Sequence, residues 1–333
     1  MVKLVDVATE AGVSAATVSR VLNNHPTVDP ALAKRVKAAA KKLGYRPNAV
    51  ARSLRKQRTQ IWQLLVSDIA NPFYTALARG VEDVAVSNGY QVVLGNSKDD
   101  VAREARYLEV AQQEQVAGVI IAPQRPDNPV TGLIESGIPV VAVNQTVKAR
   151  IDHVLADSLG GAREATRYLL DQGWQHPACI TGPTSSETAQ QRAQGYREVM
   201  ADAGLTPQIE FRGYHPQGGA EGAAALLDSE HPPDAFFACN AMICLGVLKA
   251  LKDRGLRAGR DVGLVAFDDA PWSELTDPTI TVIAQHPYEM GVQAARLLLE
   301  RLRGDGDRAP VRLTLQTDLI ERESGLRRPA PQS

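Results

Sequence analysis

Polar and aromatic residues that could do chemistry follow the apolar segments of the chain from residue 61 onward. They are amides, carboxylates, hydroxyls, one arginine and aromatic rings: Asp68, Asn71, Phe73, Tyr74, Asn144, Gln145, Ser186, Thr188, Arg192, Asn240, Asp268, Asp269 and Gln285. Aromatic rings can cover the C–H faces of a sugar, and carboxylate, amide and guanidinium groups can form paired hydrogen bonds with neighbouring hydroxyls. This set favours binding of a polyhydroxylated ligand over its chemical conversion.

Motifs of common catalytic sites are absent from the sequence. It contains no GxxxxGK[ST], no GxGxxG after a strand, no HExxH and no GxSxG. The pair Asp268-Asp269 could serve acid–base chemistry, but acidic pairs in loops more often cap a helix or bind hydroxyls. Cys179, Cys239 and Cys244 are an odd number without histidines at zinc-ligand spacing, which indicates buried free thiols. We therefore expect a protein that is not an enzyme, with no metal ion and no cofactor.

A second group of such residues lies in the stretch GVSAATVSRVLNN at 12–24. Val18, Val21 and Leu22 share one helical face, so the opposite face presents small and polar side chains: Ala15, Ala16, Thr17, Ser19 and Arg20. Small residues allow close approach to a DNA groove, a guanidinium reads guanine, and hydroxyls hold phosphate. This pattern favours DNA recognition; an ordinary small helical bundle is the alternative.

Charge is distributed unevenly along the chain. Residues 1–60 carry 12 Lys and Arg against three acids, a balance of +9, whereas the remainder carries −10. A basic end on an acidic body indicates a polyanion partner at that end only.

Three helices are predicted to position the basic end. Apolar residues at helical spacing lead to a stop at Gly12, Ser14 can cap the second helix, and Asp29-Pro30 begins a third that ends before Gly44. Two short helices joined by a tight turn, with a third packed behind them, form a helix-turn-helix.

The segment GYRPNAVARSLRKQRTQ that follows is too short for a stable isolated helix. It is expected to fold only when something holds it. Leu54, apolar between Arg52 and Arg55, would suit a wedge into a minor groove flanked by phosphate-binding cations; a plain linker is the alternative.

From Ile61 onward, strands alternate with helices. A first series of apolar runs comprises IWQLLVS, YQVVLGN, AGVIIAP and IPVVAVN, and a second comprises HVLAD, PACITGP, DAFFACN, DVGLVAFDD and TITVIAQ. Such runs predict parallel sheets covered on both sides, and two series predict two lobes with a ligand beyond the carboxyl ends of the strands. No stretch resembles a signal peptide or a membrane span, so we expect a cytoplasmic protein.

Taken in order, the motifs DVATEAGVSAATVSRVLN, LGYRPNAVARSLR, NPFY, ITGP…RAQGY and GLVAFDD resemble the LacI/GalR family over nearly the whole chain, and ribose-type repressors most. The resemblance implies an all-α helix-turn-helix headpiece at 1–45, a hinge helix or linker at 46–59, and an α/β core at 60–333 similar to periplasmic binding proteins. In that core the first lobe spans about 60–158 and 287–317 and the second about 159–286 and 318–325, with crossings near 158, 286 and 318.

The resemblance also assigns residues and partners. The DNA-binding residues it implies, together with the helix face described above, are Ala15, Ala16, Thr17, Ser19, Arg20, Asn23, Asn48, Ala51, Arg52, Leu54 and Arg55. The effector-binding residues are Asn71, Phe73, Tyr74, Asn144, Gln145, Ser186, Thr188, Arg192, Tyr214, Asn240, Asp268 and Gln285. The implied partners are a pseudo-palindromic operator, a second copy of the chain, and a sugar, sugar acid or sugar phosphate.

Two departures from the family pattern bear on the effector. Asn144-Gln145 stands where sugar-binding relatives often carry Asp-Arg, and Asn240-Ala241 stands where many carry Asn-Asp. Loss of the second acid makes the pocket less hostile to an anion, which favours a sugar or derivative other than plain ribose, such as an acidic or phosphorylated one. The alternative is that Asn and Gln bind hydroxyls in the same way.

The expected function is that of a sequence-specific DNA-binding regulator that represses carbohydrate-utilisation genes. Its operator affinity would be set by the effector between the lobes. Two alternatives keep the same core: a cytoplasmic or transport-associated sugar-binding protein, and a sugar- or nucleoside-processing enzyme with a helical appendage and Asp68 or Asp268 as base. The absent signal peptide and the basic start argue against the transport receptor.

Overall fold

The computed structural model describes residues 2–22, 28–45, 59–304 and 308–327. The internal contacts divide the chain into two compact units, Met1–Arg58 and Thr59–Ser333. Within the described residues, no helix combines the length and the apolar character that crossing a membrane would require.

The first unit contains three helices: α1 Leu4–Ala11, α2 Ala15–Leu22 and α3 Pro30–Lys42. Gly12 ends α1 with a φ of 60°, a left-handed conformation that favours glycine, and the Val13 N–H donates to the Ala8 carbonyl at 3.0 Å. The Ser14 hydroxyl accepts from the Thr17 N–H at 3.1 Å, and the Asp29 carboxylate accepts from the Leu32 N–H at 3.0 Å. The helix stop at Gly12 and the helix caps at Ser14 and Asp29 therefore lie at the predicted residues.

The core of the first unit is built from small apolar side chains, which allow the three short helices to approach closely. Its buried members are Val7, Ala8, Ala11, Val18, Val21, Val36, Ala39 and Ala40. An exposed ion pair of 2.7 Å between Lys42 and Glu10 joins α3 to α1. The predicted helix-turn-helix is confirmed.

The second unit is an α/β structure with two six-stranded sheets. Its strands are β1 Ile61–Val66, β2 Gln91–Asn96, β3 Gly118–Ile121, β4 Val140–Val143, β5 Asp152–Ala156, β6 Pro177–Thr181, β7 Ile209–Phe211, β8 Ala235–Ala238, β9 Gly263–Phe267, β10 Thr281–Ala284, β11 Arg312–Leu315 and β12 Asp318–Ile320. Its helices are α4 Pro72–Ser87, α5 Val101–Gln113, α6 Thr131–Glu135, α7 Ser158–Asp171, α8 Glu187–Asp202, α9 Pro216–Leu227, α10 Ala241–Asp253 and α11 Pro287–Arg303, with a 3₁₀ turn at Glu323–Gly325.

Each sheet forms one lobe. The strand order is β11-β5-β4-β3-β1-β2 in the first lobe and β12-β10-β9-β8-β6-β7 in the second. The chain passes from one sheet to the other after β5, after β10 and between β11 and β12. The predicted fold class, with two lobes built on parallel sheets, is confirmed.

Three details differ from the predicted pattern. The run HVLAD opens the second series of strands in the sequence, but as β5 it pairs with β4 and β11 in the first sheet. β12 runs antiparallel to β10, and only two residues separate β11 from β12 as the chain crosses between the sheets. β7, β11 and β12 were not predicted as strands, because they are short edge strands without a continuous buried apolar run.

Helices α4 and α11 of the first lobe cross at two glycines. A methyl group on Gly80 would meet the Tyr288 carbonyl oxygen, and one on Gly291 would meet the Leu77 carbonyl oxygen. The two backbones approach so closely that any residue other than glycine would clash at these positions, and the helices pack with almost no space between them. This contact holds the middle of α4 against the start of α11.

An ion pair at Asp152 ties α11 to β5. Arg301 donates from Nε and Nη2 to the two carboxylate oxygens of Asp152, each at 2.8 Å, and Asp152 is 1% exposed. Burial alone would raise the pKa of Asp152, but the hydrogen bonds from Arg301 and the Val311 N–H outweigh burial and hold that pKa below its usual value.

The segment after β12 is fastened to the second lobe. The Trp174 indole N–H donates to the Gly325 carbonyl at 2.8 Å, and the Ser324 hydroxyl donates to the Leu264 carbonyl at 2.6 Å. The Thr281 N–H in turn donates to the Ser324 hydroxyl at 2.9 Å. Ser324 and Gly325 are therefore part of the core of the lobe.

Candidate functional site

Helix α2 of the first unit displays the side chains predicted to contact DNA. Ala15, Ala16 and Arg20 are exposed, and Thr17 and Ser19 are half-buried. The Thr17 hydroxyl lies 2.9 Å from the Ser14 hydroxyl, so it supports the helix cap. One face of α2 thus offers methyl groups and a guanidinium, which are suited to base edges in a major groove.

Six of the residues predicted to bind DNA lie outside the described residues. They are Asn23, Asn48, Ala51, Arg52, Leu54 and Arg55. Their assignment to DNA stays a prediction.

A cavity of about 330 Å³ lies between the lobes of the second unit. All twelve residues predicted to bind the effector line it: Asn71, Phe73, Tyr74, Asn144, Gln145, Ser186, Thr188, Arg192, Tyr214, Asn240, Asp268 and Gln285. The carboxyl ends of parallel strands meet along one edge of each sheet, and the two edges face each other here. The structure therefore brings these residues together, while their role in binding stays a prediction.

The first-lobe wall is organised around the start of α4. Asn71 caps this helix by accepting the Phe73 N–H at 3.0 Å, which turns Phe73 and Tyr74 toward the cavity. The Tyr74 hydroxyl donates to the Ser67 hydroxyl at 3.2 Å and accepts from the Asn144 side-chain amide at 3.4 Å. Burial raises the pKa of Tyr74 well above its ordinary value, so this hydroxyl stays protonated.

The second-lobe wall is organised around Arg192, which is 3% exposed. Its Nη1 donates to the Cys239 carbonyl at 2.6 Å, and its guanidinium lies 3.8 Å from the centre of the Phe267 ring. Burial raises the pKa of Asp268, and the positive charge of Arg192 acts in the opposite direction. The Gln285 side-chain amide donates to the same Asp268 carboxylate.

Hydroxyl groups form a cluster at the start of α8. Ser186 and Thr188 hydroxyls lie 3.0 Å apart, and the Tyr214 hydroxyl lies 3.1 Å from that of Thr188. Burial raises the pKa of Tyr214. Asn240 caps α10 by accepting the Met242 N–H at 2.7 Å, which leaves its amide nitrogen as the group able to donate to a ligand.

Gln145 lines the cavity, but its amide already has protein partners. Its Oε1 accepts from the Glu187 N–H at 2.9 Å and from the Ser186 hydroxyl at 3.2 Å, and its Nε2 donates to the Pro123 carbonyl at 2.9 Å. The same wall holds Asn144 in a left-handed conformation, with a φ of 65°.

Three polar atoms of the cavity residues are buried without a hydrogen-bond partner: Asn144 Oδ1, Gln285 Oε1 and Arg192 Nε. Buried polar groups are almost always paired, so unpaired atoms on residues that line a cavity mark those residues as candidate ligand contacts. Two of the three are acceptors. The site therefore calls for a ligand that donates hydrogen bonds, as hydroxyl groups do.

The cavity has further lining residues that the sequence-based prediction left out: Ser67, Asp99, Val101, Gln124, Arg125, Pro183, Ser185, Gly213 and His215. Asp68, which the sequence analysis named among the polar residues after the strands, lines it as well. Gln124 and Arg125 follow β3 as Asn144 follows β4, so the strand-end rule could have found them. His215 follows the unpredicted strand β7 and gave no such signal.

Behind this part of the wall lies Glu104, a buried carboxyl group. It accepts from the Gln124 N–H at 3.0 Å and from the Asn128 side-chain amide. Burial raises the pKa of Glu104 to about 7, against the effect of these two donors. Within the described part of the chain, no group of three or more His, Cys, Asp or Glu side chains could hold a metal ion.

Comparison with known proteins gives two family matches. Residues 3–48 match the model of bacterial regulatory proteins of the lacI family, and residues 166–325 match that of a periplasmic binding protein-like domain. The chain is 35% identical to the ribose operon repressor of Halalkalibacterium halodurans, over 97% of each chain.

Solved structures of similar chains are also transcriptional regulators. The transcriptional regulator CelR–cellobiose complex is 33% identical with a TM-score of 0.74, over 97% of this chain and 100% of that one. The lac repressor dimer bound to operator and the anti-inducer ONPF is 25% identical with a TM-score of 0.87, over 98% of this chain and 99% of that one. The relatives are named as regulators rather than enzymes, and the chain belongs to the lacI family of bacterial regulatory proteins.

Proposed function

We propose that this protein is a transcriptional repressor of carbohydrate-utilisation genes whose operator affinity is set by a sugar bound between the lobes. The observation that carries the proposal is the cavity with two buried, unpaired acceptor atoms, Asn144 Oδ1 and Gln285 Oε1. Its volume lies at the lower end of the range for small-molecule sites. A regulator of DNA works where the DNA is, so we place it in the cytoplasm.

Charges around the cavity favour a neutral sugar over a sugar acid or sugar phosphate. Three carboxylates line it (Asp68, Asp99 and Asp268) against the two guanidinium groups of Arg125 and Arg192. The charge of Arg192 already acts on Asp268. An anionic ligand would therefore bring its charge toward more carboxylates than guanidinium groups. The departure at Asn144-Gln145 then serves hydroxyl binding and lobe contacts rather than anion binding.

The proposal includes a homodimer. A pseudo-palindromic operator requires two copies of the headpiece related by a two-fold axis. The first lobe carries exposed apolar side chains on its edge strand β2, where Val93 is 50% exposed, and at the end of α4, where Val86 is 61% exposed. An uncovered apolar edge strand favours association with a second copy.

The proposed mechanism is a shift between two populations of lobe arrangements. A sugar that binds one arrangement better than the other shifts the balance by its difference in affinity and by nothing else. Coupling of about 1–3 kcal/mol between effector and operator would change operator affinity about 5–150-fold.

Operator binding tests the proposal directly. Fluorescence anisotropy would follow binding to a palindrome from upstream of the protein's own coding region, with and without neutral pentoses, hexoses and disaccharides, sugar acids and sugar phosphates. A neutral sugar should change the operator affinity at least fivefold. If only anionic compounds do so, the charge argument is wrong, and if DNA binds but no carbohydrate acts, the sugar site is wrong.

A matched pair of glutamine variants locates the effect. Gln285→Ala removes an unpaired acceptor of the cavity, whereas Gln293→Ala removes an amide of α11 that bonds Glu289 away from the cavity. The first should lose the response to the sugar while keeping operator affinity in its absence, and the second should behave as the wild type. Equal behaviour of the two variants would contradict the placement of the site.

A further inference from the structure

Hydrogen bonds join the two lobes at one rim of the cavity. They run between Gln145 and Thr146, which follow β4 of the first lobe, and Ser186 and Glu187, which begin α8 of the second. We refer to these four residues as the interlobe clasp.

The clasp is reciprocal. Glu187 Oε2 accepts from the Thr146 N–H and from the Thr146 hydroxyl, both at 2.7 Å. In return, Gln145 Oε1 accepts from the Glu187 N–H at 2.9 Å and from the Ser186 hydroxyl at 3.2 Å. Bonds to a carboxylate are the stronger kind, so the Thr146–Glu187 half contributes most.

Each half of the clasp is held by its own lobe. The Gln145 amide is anchored by its bond to the Pro123 carbonyl in the first lobe. Glu187 lies in the first turn of α8, where a carboxylate is favoured by the helix dipole, and it also accepts from the Gln191 amide at 3.2 Å. Little ordering is therefore required when the lobes meet, which increases the net effect of each bond.

Sheet order sets how the clasp responds to lobe rotation. In the second lobe β6, which leads to Glu187, is three strands away from β10, where the chain crosses to the first lobe. At about 4.8 Å per strand, the clasp lies about 14 Å from that crossing. A rotation of about 10° there would move the clasp atoms by about 2.5 Å, which is enough to break all four bonds together.

We propose that the clasp is a positioning device that holds the cleft closed, with Glu187 as its main positioning residue. This inference rests on the proposed function, since a closed cleft would then retain the sugar. It also gives Gln145 a role that its place in the cavity wall does not reveal: its amide joins the lobes rather than contacting the ligand.

Amide hydrogen exchange on the ligand-free full-length protein tests the clasp, because the Thr146 and Glu187 amides each donate across the lobes. In Glu187→Ala the backbone amide at 187 keeps its acceptor, Gln145 Oε1, and should nevertheless exchange at least tenfold faster because the lobes part. In Gln145→Ala the Thr146 amide keeps Glu187 Oε2 as acceptor and should accelerate likewise. Faster exchange only at the amide that lost its own acceptor would overturn the proposal.

Two further variants guard against a general loss of structure. Glu198→Ala removes an ion pair between α8 and Arg163 inside the second lobe and should leave both amides protected. Glu187→Gln retains an acceptor oxygen and should restore part of the protection. If Glu198→Ala exposes both amides equally, α8 itself is unstable and the clasp argument is wrong.

The dissociation rate of a bound sugar tests whether the clasp retains the ligand, with D-ribose and cellobiose as probes. Glu187→Ala should release a bound probe about tenfold faster than the wild type, without a slower association. An unchanged dissociation rate would show that the clasp does not retain the sugar. If neither probe nor any other sugar binds the wild type, the proposed effector class fails, while the exchange result still decides the clasp.

Discussion

Replacement of Arg192 by methionine is the most informative single change in the cavity. Methionine keeps an apolar stem over the Phe267 ring but removes the guanidinium. The Cys239 carbonyl then loses its 2.6 Å donor, and the buried Asp268 carboxylate loses the positive charge that favours its ionised form. Arg192→Met therefore affects stability and the response to the effector together.

The expected loss of stability follows from these contacts. An unpartnered buried carbonyl costs about 1–3 kcal/mol, and loss of the cation over the ring costs about 0.5–2 kcal/mol. Together these two losses, with the packing of the side chain retained by methionine, put our expectation near 3 kcal/mol. For a domain of this size, that corresponds to a decrease in Tm of roughly 6–12 °C.

The loss should depend on pH. The pKa of Asp268 is raised in the folded protein, so the folded state binds a proton that the unfolded state has released, and stability falls as pH rises from the unfolded pKa toward the folded one. Without Arg192 the folded pKa rises further, and the window extends to higher pH. Arg192→Met should therefore lose more stability relative to the wild type at pH 8 than at pH 5.

Thermal unfolding at pH 5 and pH 8 and operator anisotropy with sugar would measure these effects. The double variant Arg192→Met/Asp268→Asn removes both charges and should regain the pH-dependent part of the lost stability, but not the response to sugar. A loss independent of pH, or a double variant that loses stability with pH as the single one does, would refute the argument that the charge of Arg192 stabilises the Asp268 carboxylate.

Three other changes have defined outcomes. Arg20→Ala should relax specificity at one base pair at a cost of about 1–3 kcal/mol, measured with a set of singly substituted operators; a uniform loss over all of them would indicate a phosphate contact instead. Asp152→Asn should lower stability by about 3–5 kcal/mol at pH 7, because it breaks the buried pair with Arg301. The gap should narrow in acid, as the pH falls through the lowered pKa of wild-type Asp152; a gap that stays unchanged from pH 7 into strong acid would contradict this. The pKa of Glu104 is raised to about 7, so wild-type stability should fall as the pH rises from about 4.5 to 7. Glu104→Gln should remove this pH dependence from thermal unfolding. An unchanged pH profile in the variant would show that Glu104 does not titrate in this range.

The sequence predicted the elements that bury a continuous apolar surface. β1, β3, β8 and β9 read as unbroken apolar runs and are buried along nearly their whole length. The edge strand β11 alternates between exposed and half-buried residues over only four positions, which is too short to be separated from a loop by pattern. Its identity as a strand depends on β5, a partner more than 150 residues away in the chain.

The candidate site was predictable to the extent that it follows strand ends. Asn144 and Asp268 were found because each comes directly after a buried run, and such ends converge in parallel sheets. Glu187 and Thr146 gave no signal, because an acid in the first turn of a helix and a loop threonine are common surface residues. Their contact exists only when the two lobes face each other.

The attachment of the C-terminal segment has a consequence for synthesis and turnover of the protein. Residues 312–320 supply one edge strand of each sheet, β11 to the first and β12 to the second, and Ser324 and Gly325 are then fastened to the core. Neither lobe can complete its sheet until the ribosome has translated this segment. A chain released before residue 312 would leave β5 and β10 as open edges at once, so premature termination would yield an aggregation-prone product for proteolysis rather than one intact lobe.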